Sequence, residues 1–362
     1  TQNTKGIFKS VDGGESWARK DRGVEAGDEI SFRGFGIHPA NSDIVFGAAE
    51  IATEFQGKEF NKTQGKIFKT IDGGENWYQV WEGNNLARVV LFDYLHPDTV
   101  YCSTGIFDRE AYDSDWDTQT RGGEGVLRSY DGGETWTNAN TGIENLYIGY
   151  LEMHPTDPQT IYAASGNFVY HTEGKGYIYK TTNGGDSWEE MLVGGCFSAV
   201  TVSTSNPEVV YALDGGACYR SENGGVSWEK YFNASEGTWG PPGNKPGIPI
   251  SAAVHPENEN MLFVNNYNGG NFVSTDGGKT WVNSSRGYTG ADIRDIHVDP
   301  DVPSRVYAVG RNGIFKTENG GLDWIGKTFS PAGLEFMRIS VPEENFERVY
   351  GVVDALITTE DG

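Results

Sequence analysis

The chain has 362 residues, 51 of them acidic and 28 basic, for a formal net charge of −23 at pH 7. That balance argues against binding nucleic acid or anionic lipid, and it favours a solvated acidic surface or a cationic partner. No apolar run reaches membrane-spanning length, so no membrane insertion is expected.

Read in order, the chain opens on the β-rich run Gly6-Ile7-Phe8-Lys9 and then Ser10-Val11-Asp12-Gly13-Gly14-Glu15-Ser16-Trp17. The pattern is Ser/Thr, any residue, Asp/Asn, Gly, Gly, two residues, Trp. It returns at Thr70–Trp77, Ser129–Trp136, Thr181–Trp188, Ser221–Trp228, Ser274–Trp281 and Thr317–Trp324, and a cut-off copy starts at Thr359. The acid or amide is Asp12, Asp72, Asp131, Asn183, Asn223, Asp276 and Asn319 in turn, with Asp361 in the partial copy. Gly-Gly supplies the positive φ angles of a tight hairpin. The Ser/Thr hydroxyl and the Asp/Asn oxygen satisfy turn N–H groups, and the Trp fills the gap between neighbouring sheets. One signature per 40 to 60 residues or so marks a repeat architecture.

A second repeat lies between the boxes: an alternating strand, a short turn usually built on His-Pro, and a strand ending near Val-Tyr. It reads Gly36-Ile37-His38-Pro39 to Val45-Phe46, then Tyr94-Leu95-His96-Pro97 to Val100-Tyr101, and Glu152-Met153-His154-Pro155 to Ile161-Tyr162. It continues through Pro207, Pro256, Pro300 and Pro342. Each unit therefore has four antiparallel strands, A to D, with the Pro turn between A and B and the box between C and D. Four strands per radial repeat is a propeller blade. We expect an all-β protein, a single β-propeller domain over residues 1–362, with seven blades and eight as the alternative. The first box belongs either to a blade begun upstream or to the closing blade. Because the chain starts at Thr1 and stops inside a repeat, it is expected to be a segment of a longer precursor.

The box residues match the Asp box, S/T-x-D-x-G-x-x-W. The chain thus resembles the Asp-box β-propeller families: sialidases, xyloglucan-hydrolysing glycosidases, sortilin-type receptors and the photosystem II stability factor. The resemblance extends over nearly the whole chain and is specific for fold, while the same motif serves enzymes and binders. Sialidases clamp a carboxylate with three arginines, and Arg33, Arg88, Arg294 and Arg338 all fall on inner strands here. Arg33 and Arg294 each stand five residues before the turn, at His38 and Asp299. The N-terminal Arg-Ile-Pro signature of that family is absent. The xyloglucan-hydrolysing families resemble this chain in the wording of Ile148–Ser165. Their inverting chemistry needs two carboxylates ~6.5–9.5 Å apart, and Glu50, Glu54, Asp108 and Asp113 qualify by location alone.

Up-and-down connectivity sorts the turns onto two faces. The A–B turns and the boxes share one face and are short and uniform. The B–C and D–A connections share the other and vary, which is where function collects on a rigid scaffold. Long B–C loops are expected over Glu50–Gln64, Gly105–Glu124 and Ser165–Gly176, and a long D–A loop over Asn233–Pro249. The ligand-binding candidates on this face are Glu54, Asp108, Tyr112, Trp116, His171 and Trp239, with Arg33, Arg88 and Arg294 in the channel. Asp113, Asp115 and Asp117 alternate as hard-cation ligands do, so calcium is the one cofactor considered, although Thr118 stands where a calcium loop wants Gly. No other cofactor is required. The histidines of the Pro turns are expected to pack the turns.

Cys196 is expected on an inner strand and Cys218 two strands outward. Two spacings of ~4.8 Å exceed the ~7 Å bridging limit, so these two and Cys102 should be buried thiols. The sequons at Asn61, Asn233 and Asn283 fit secretion. The sequence reading is an extracellular or cell-surface module that binds a glycan or peptide through its variable face. Its alternatives are a glycoside hydrolase and an assembly scaffold, for which self-association is expected.

Overall fold

The computed structural model describes residues 6–24, 30–56, 59–84, 86–105, 123–166, 175–232, 239–241, 249–266, 270–284, 293–310, 313–329, 334–342 and 345–355. Alternating apolar residues and Gly-Gly turns divide them into 28 strands. The chain begins with β1 (Gly6–Ser10) and β2 (Ala18–Arg19). Blade 1 is β3 (Ile30–Ile37), β4 (Val45–Gln56), β5 (Glu59–Thr70) and β6 (Tyr78–Asn84). Blade 2 is β7 (Ala87–Phe92), β8 (Val100–Thr104), β9 (Val126–Ser129) and β10 (Thr137–Asn138). Blade 3 is β11 (Ile148–His154), β12 (Asp157–Ser165), β13 (Gly176–Thr181) and β14 (Glu189–Gly194). Blade 4 is β15 (Ala199–Val202), β16 (Val210–Leu213), β17 (Cys218–Ser221) and β18 (Glu229–Tyr231). Blade 5 is β19 (Pro249–His255), β20 (Asn258–Asn266), β21 (Asn271–Ser274) and β22 (Val282–Asn283). Blade 6 is β23 (Ile293–Val298), β24 (Val306–Gly310), β25 (Gly313–Thr317) and β26 (Ile325–Phe329). β27 (Leu334–Ser340) and β28 (Val349–Ala355) then pair with β1 and β2, in the order β2-β1-β28-β27, to complete blade 7.

The fold is a seven-bladed propeller of four-stranded antiparallel sheets, and the first box belongs to the closing blade. Ring closure is a five-residue pairing, Gly6↔Val353 to Ser10↔Val349. No helix among the described residues is long and apolar enough to cross a membrane.

Every complete box has the same wiring. In blade 2, Ser129 Oγ donates to Asp131 Oδ1 (2.7 Å) and accepts from Gly133 N (2.8 Å), while Thr135 N donates to Asp131 Oδ1 (2.9 Å). Gly132 and Gly133 have φ of 68° and 85°, and a Cβ on Gly133 would collide with the Phe46 ring of blade 1. Asn replaces Asp without loss of wiring. Asn183 Oδ1 accepts from Thr181 Oγ1 (2.8 Å) and Ser187 N (3.0 Å), and its amide donates to Ser187 Oγ (2.9 Å).

The first box glycine also ties the box to the Pro turn of its own blade, as in Gly132 N to Asp98 O at 2.8 Å. The strand-B tyrosine ties it to the blade before. Tyr101 OH donates to Gly184 O (3.0 Å), Tyr162 OH to Gly224 O (2.9 Å) and Tyr307 OH to Gly13 O (2.9 Å). Seven apolar clusters fill the seven gaps between blades. Each takes its box Trp as a buried or flanking member, as the sequence implies.

Three expectations change. Glu50–Gln64 is not a loop: β4 and β5 continue as one long hairpin, still paired at Gln56↔Glu59. Trp239 is no ligand platform, being buried and packed edge-on against Phe272 (5.3 Å) and Trp281 (5.1 Å). All three cysteines are free, but only Cys102 and Cys218 are fully buried; Cys196 is half-buried ahead of β15. Burial pushes the Cys102 thiol up to about 12.

Tyr307→Phe should cost about 1 kcal/mol by removing a hydrogen bond that spans the ring closure, whereas Trp188→Ala should cost about 3–5 kcal/mol by opening the gap between blades 2 and 3. Urea denaturation of the three proteins measures both, and equal losses would contradict the packing described.

Candidate functional site in the central channel

The A–B turns set the register of the inner strands. His38, His154 and His255 each accept a turn N–H at Nδ1, from Ala40 (3.1 Å), Thr156 (3.3 Å) and Glu257 (3.2 Å). Asp93 Oδ1 does the same for Leu95 (2.8 Å) and His96 (2.9 Å), and Asp299 Oδ1 for Asp301 (2.9 Å) and Val302 (3.1 Å). In blade 2 the capping residue is therefore Asp93, not the exposed His96 that the His-Pro wording suggests. With Asp93 as the reference, Arg88 also stands five residues before the turn, level with Arg33 and Arg294. Six of the seven inner strands break register at this height, as between Phe32 and Gly34 or Ile293 and Asp295.

The three arginines do not form a clamp. Arg33 Nε donates to Glu50 Oε1 at 2.7 Å, and the same pair is joined through Nη2; both side chains are buried, so each charge is matched within blade 1. Arg88 is buried on the channel wall, and Arg294 is half-buried on β23.

Below this level the alternation of the strands sorts the side chains. Residues one and three before each capping position enter the inter-blade clusters; of those two and four before it, Tyr150, Glu152, Asp295, His297 and Arg338 line the channel. The channel encloses about 400 Å³ and runs from Arg88 to the turn residues Pro256, Pro300 and Pro342. On the wall from blade 3 stand Tyr150 and Glu152. On the wall from blades 6 and 7, across the axis in a ring of seven, stand Asp295, His297 and Arg338.

Glu152 Oε1 accepts from Thr201 Oγ1 (3.3 Å) and Val202 N (3.5 Å) of blade 4. Burial at the centre of the molecule outweighs these two neutral donors and pushes the carboxyl up to about 7. Asp295 goes the other way. Burial acts to raise it, but the neighbouring His297 ring, the charge of Arg338 and the N–H of Ile339 (3.2 Å) hold it below the usual carboxylate range. Arg338 Nη1 lies 3.9 Å from Asp295 Oδ1, and His297 Nε2 lies 3.7 Å from Oδ2 and 2.9 Å from Ile339 O. Tyr150 is in hydrogen-bonding contact with Ser251 of blade 5, and its phenol is raised by burial and by the charges of Glu152 and Asp295. Two carboxylates in one channel are thus shifted in opposite directions by their surroundings.

The remaining sequence candidates lie on other described strands or outside the described residues. Glu54 lies on the long β4–β5 hairpin and Asn61 on β5. Asn283 is exposed on β22. Asp108, Tyr112, Trp116, His171, the calcium candidates Asp113, Asp115 and Asp117, Asn233 and Asp361 lie outside the described residues. Among the described residues no three His, Cys, Asp or Glu side chains are grouped to hold a metal. Sequence reasoning passed over Tyr150, Glu152, Asp295 and His297. The signal was available: in aligned repeats Glu152 stands where Leu91 and Ala253 stand in other blades.

The fold and the box wiring define the class: a seven-bladed β-propeller whose C–D turns are Asp boxes. The BNR/Asp-box repeat family model matches residues 272–282. YCF48 from Cyanidioschyzon merolae is similar over 91% of this chain and 97% of its own, at 13% identity and a TM-score of 0.56. YCF48 bound to D1 peptide is similar over 92% and 95%, also at 13% identity and 0.56. An ancestral GH74 enzyme is similar over 86% of this chain at 17% identity and a TM-score of 0.62, and the chain spans 40% of that enzyme. No curated protein matches.

The Glu152 carboxyl should titrate near pH 7 in the folded protein, followed by carboxyl ¹³C NMR. Its folded pKa is raised, so its contribution to stability is fully present below the ordinary glutamate value and is lost as pH rises through about 7. Glu152→Gln should therefore gain stability over the wild type at pH 8 and little at pH 4; an equal difference at both would refute the assignment.

Proposed function

We propose that this protein is an interaction module that holds a peptide or glycan segment on the face opposite the Asp boxes. The observation that carries this reading is the inequality of the two faces. On the box face, turn donors and acceptors are consumed internally, as in the wiring of Ser129, Asp131 and Gly132. On the other face, blade 1 raises the β4–β5 hairpin beyond the body of its sheet, while blade 4 turns between Leu213 and Cys218 on an Asp214-capped loop. Unequal heights around one rim make a concave, asymmetric surface on a rigid base. Binding of a peptide by YCF48, a propeller of matching extent, supports the same use of the fold here. An extracellular setting, with glycans at the sequons and calcium in the Asp113–Asp117 segment, belongs to the same proposal.

A glycoside hydrolase is the second reading, favoured by Glu152, which has the ionisation of a general acid, in one channel with ionised Asp295. Against it, Asp295 already accepts from Ile339 and pairs with Arg338 and His297. Release of nitrophenol from aryl glycosides, abolished by Glu152→Gln, would favour the hydrolase.

Peptide and glycan arrays test the first reading. A variant in which Ile51–Gln64 is replaced by a two-residue Asn-Gly turn should lose capture and keep its melting temperature. Leu322→Glu, on an exposed box tip, should keep both. Loss of capture only in the box-tip variant would place the working surface on the wrong face.

A further inference from the structure

We propose that the central channel is a second binding site, separate from the variable face, for one small neutral polyol of sugar or sugar-alcohol size. Its volume, about 400 Å³, lies at the small end of the roughly 300–1,000 Å³ range of ligand pockets. Too small for a folded segment, it suits a single compact molecule.

The lining chemistry selects the class. Donors and acceptors face each other across the axis: Glu152, Thr201 and Tyr150 on one side, Asp295, His297 and Arg338 on the other. A ligand bridging them needs hydroxyl groups on several sides, each both donor and acceptor. Between the polar walls, Leu91 and Ala253 offer an apolar surface for the C–H face of a ring.

Charge excludes the alternatives. Asp295 is matched by Arg338 and contacted by His297, so this wall offers no net charge for an ion to meet. Glu152 is bonded only to neutral donors and is largely protonated below neutral pH. Arg88, the remaining charge on the lining, stands at the far end of the channel, close enough to Cys196 to influence it, as is Asp214. A fixed anion or cation entering at mid-channel would therefore lose hydration without finding an unmatched opposite charge.

The test is carboxyl ¹³C NMR of Glu152 with calorimetry, using D-glucose, D-xylose, myo-inositol and glycerol as neutral probes, and putrescine and phosphate as charged ones. At least one neutral probe at about 0.1 M should shift the Glu152 resonance saturably, while the charged probes should not. Glu152→Gln, which keeps a donor and an acceptor, should bind within about fivefold of the wild type, whereas Glu152→Leu with Thr201→Val should weaken binding by more than about tenfold. Ala253→Leu, which narrows the channel, should abolish it. If putrescine alone shifts the resonance, and its calorimetric binding is lost in Glu152→Gln, the site is an amine site and the proposal fails. It also fails if no neutral probe acts, or if Ala253→Leu binds like the wild type. The hairpin-shortened variant should retain channel binding, so failure of the face reading leaves this inference standing.

Discussion

One contact, made in five of the seven blades, ties the ring together: a tyrosine hydroxyl on strand B of one blade donating to a turn carbonyl of the next. Tyr101, Tyr162 and Tyr307 lie wholly buried in the blade gaps and end their hydroxyls on box carbonyls of the following blade. Tyr211 and Tyr350 end instead on turn carbonyls, Glu259 O at 2.6 Å and Ser42 O at 3.0 Å. A box carbonyl turned toward the gap would be a buried unpaired acceptor without such a donor. The Gly-Gly pair is needed because any side chain there would occupy the space of the neighbouring aromatic, as Phe46 shows against Gly133. Turn chemistry and inter-blade packing are therefore one constraint, which explains why the signature survives Asp–Asn exchange but keeps both glycines and the Trp.

That coupling is also why the fold was legible in the sequence and the site was not. Boxes, Pro turns and strand-B aromatics recur at fixed offsets because each contacts another repeated element of its own or the next blade. Repetition reveals the blade, its four strands and the two faces without coordinates. The channel residues have no such obligation. Asp295 acquires its meaning from Arg338 one blade on, and Tyr150 from Ser251 two blades on. Those relations depend on ring order, which a linear reading does not display. The misplacement of His96 followed from the same limit: the His-Pro wording was kept in blade 2 while the capping duty passed to Asp93 three residues earlier. The extended hairpin of blade 1 escaped notice because the run from Glu50 to Gln64 is polar and lacks a box, although its backbone pairs along most of its length.

The inner strands divide their labour between their two sides. At the positions one and three before each capping residue, apolar side chains occur in all seven blades, among them Val90 and Phe92, Leu151 and Met153, Ile296 and Val298. At the positions two and four before it, Gly34 and Gly36, Val89 and Leu91, Tyr150 and Glu152, and Asp295 and His297 all occur. Blade 1 uses glycine at the second of these because β7 passes so close that a Cβ on Gly34 would meet the Arg88 carbonyl. Elsewhere the channel side varies in polarity, although Val89, Leu91 and Tyr150 also pack against gap clusters.

Glu152 turns this variation into an argument about function. A carboxyl held near pH 7 by burial is a cost the fold does not require, because Leu91 and Ala253 occupy the same height in blades built on the same plan. Its two hydrogen bonds come from blade 4, from the Val202 backbone N–H and the Thr201 hydroxyl. A half-buried ionisable group that the scaffold does not need, lining one channel with a second whose titration is shifted the other way, is the arrangement expected of a recognition or proton-handling site. The channel is thus the place where the chain departs from its own repeat at a cost to stability, and the departure is concentrated on the facing walls of blades 3, 6 and 7.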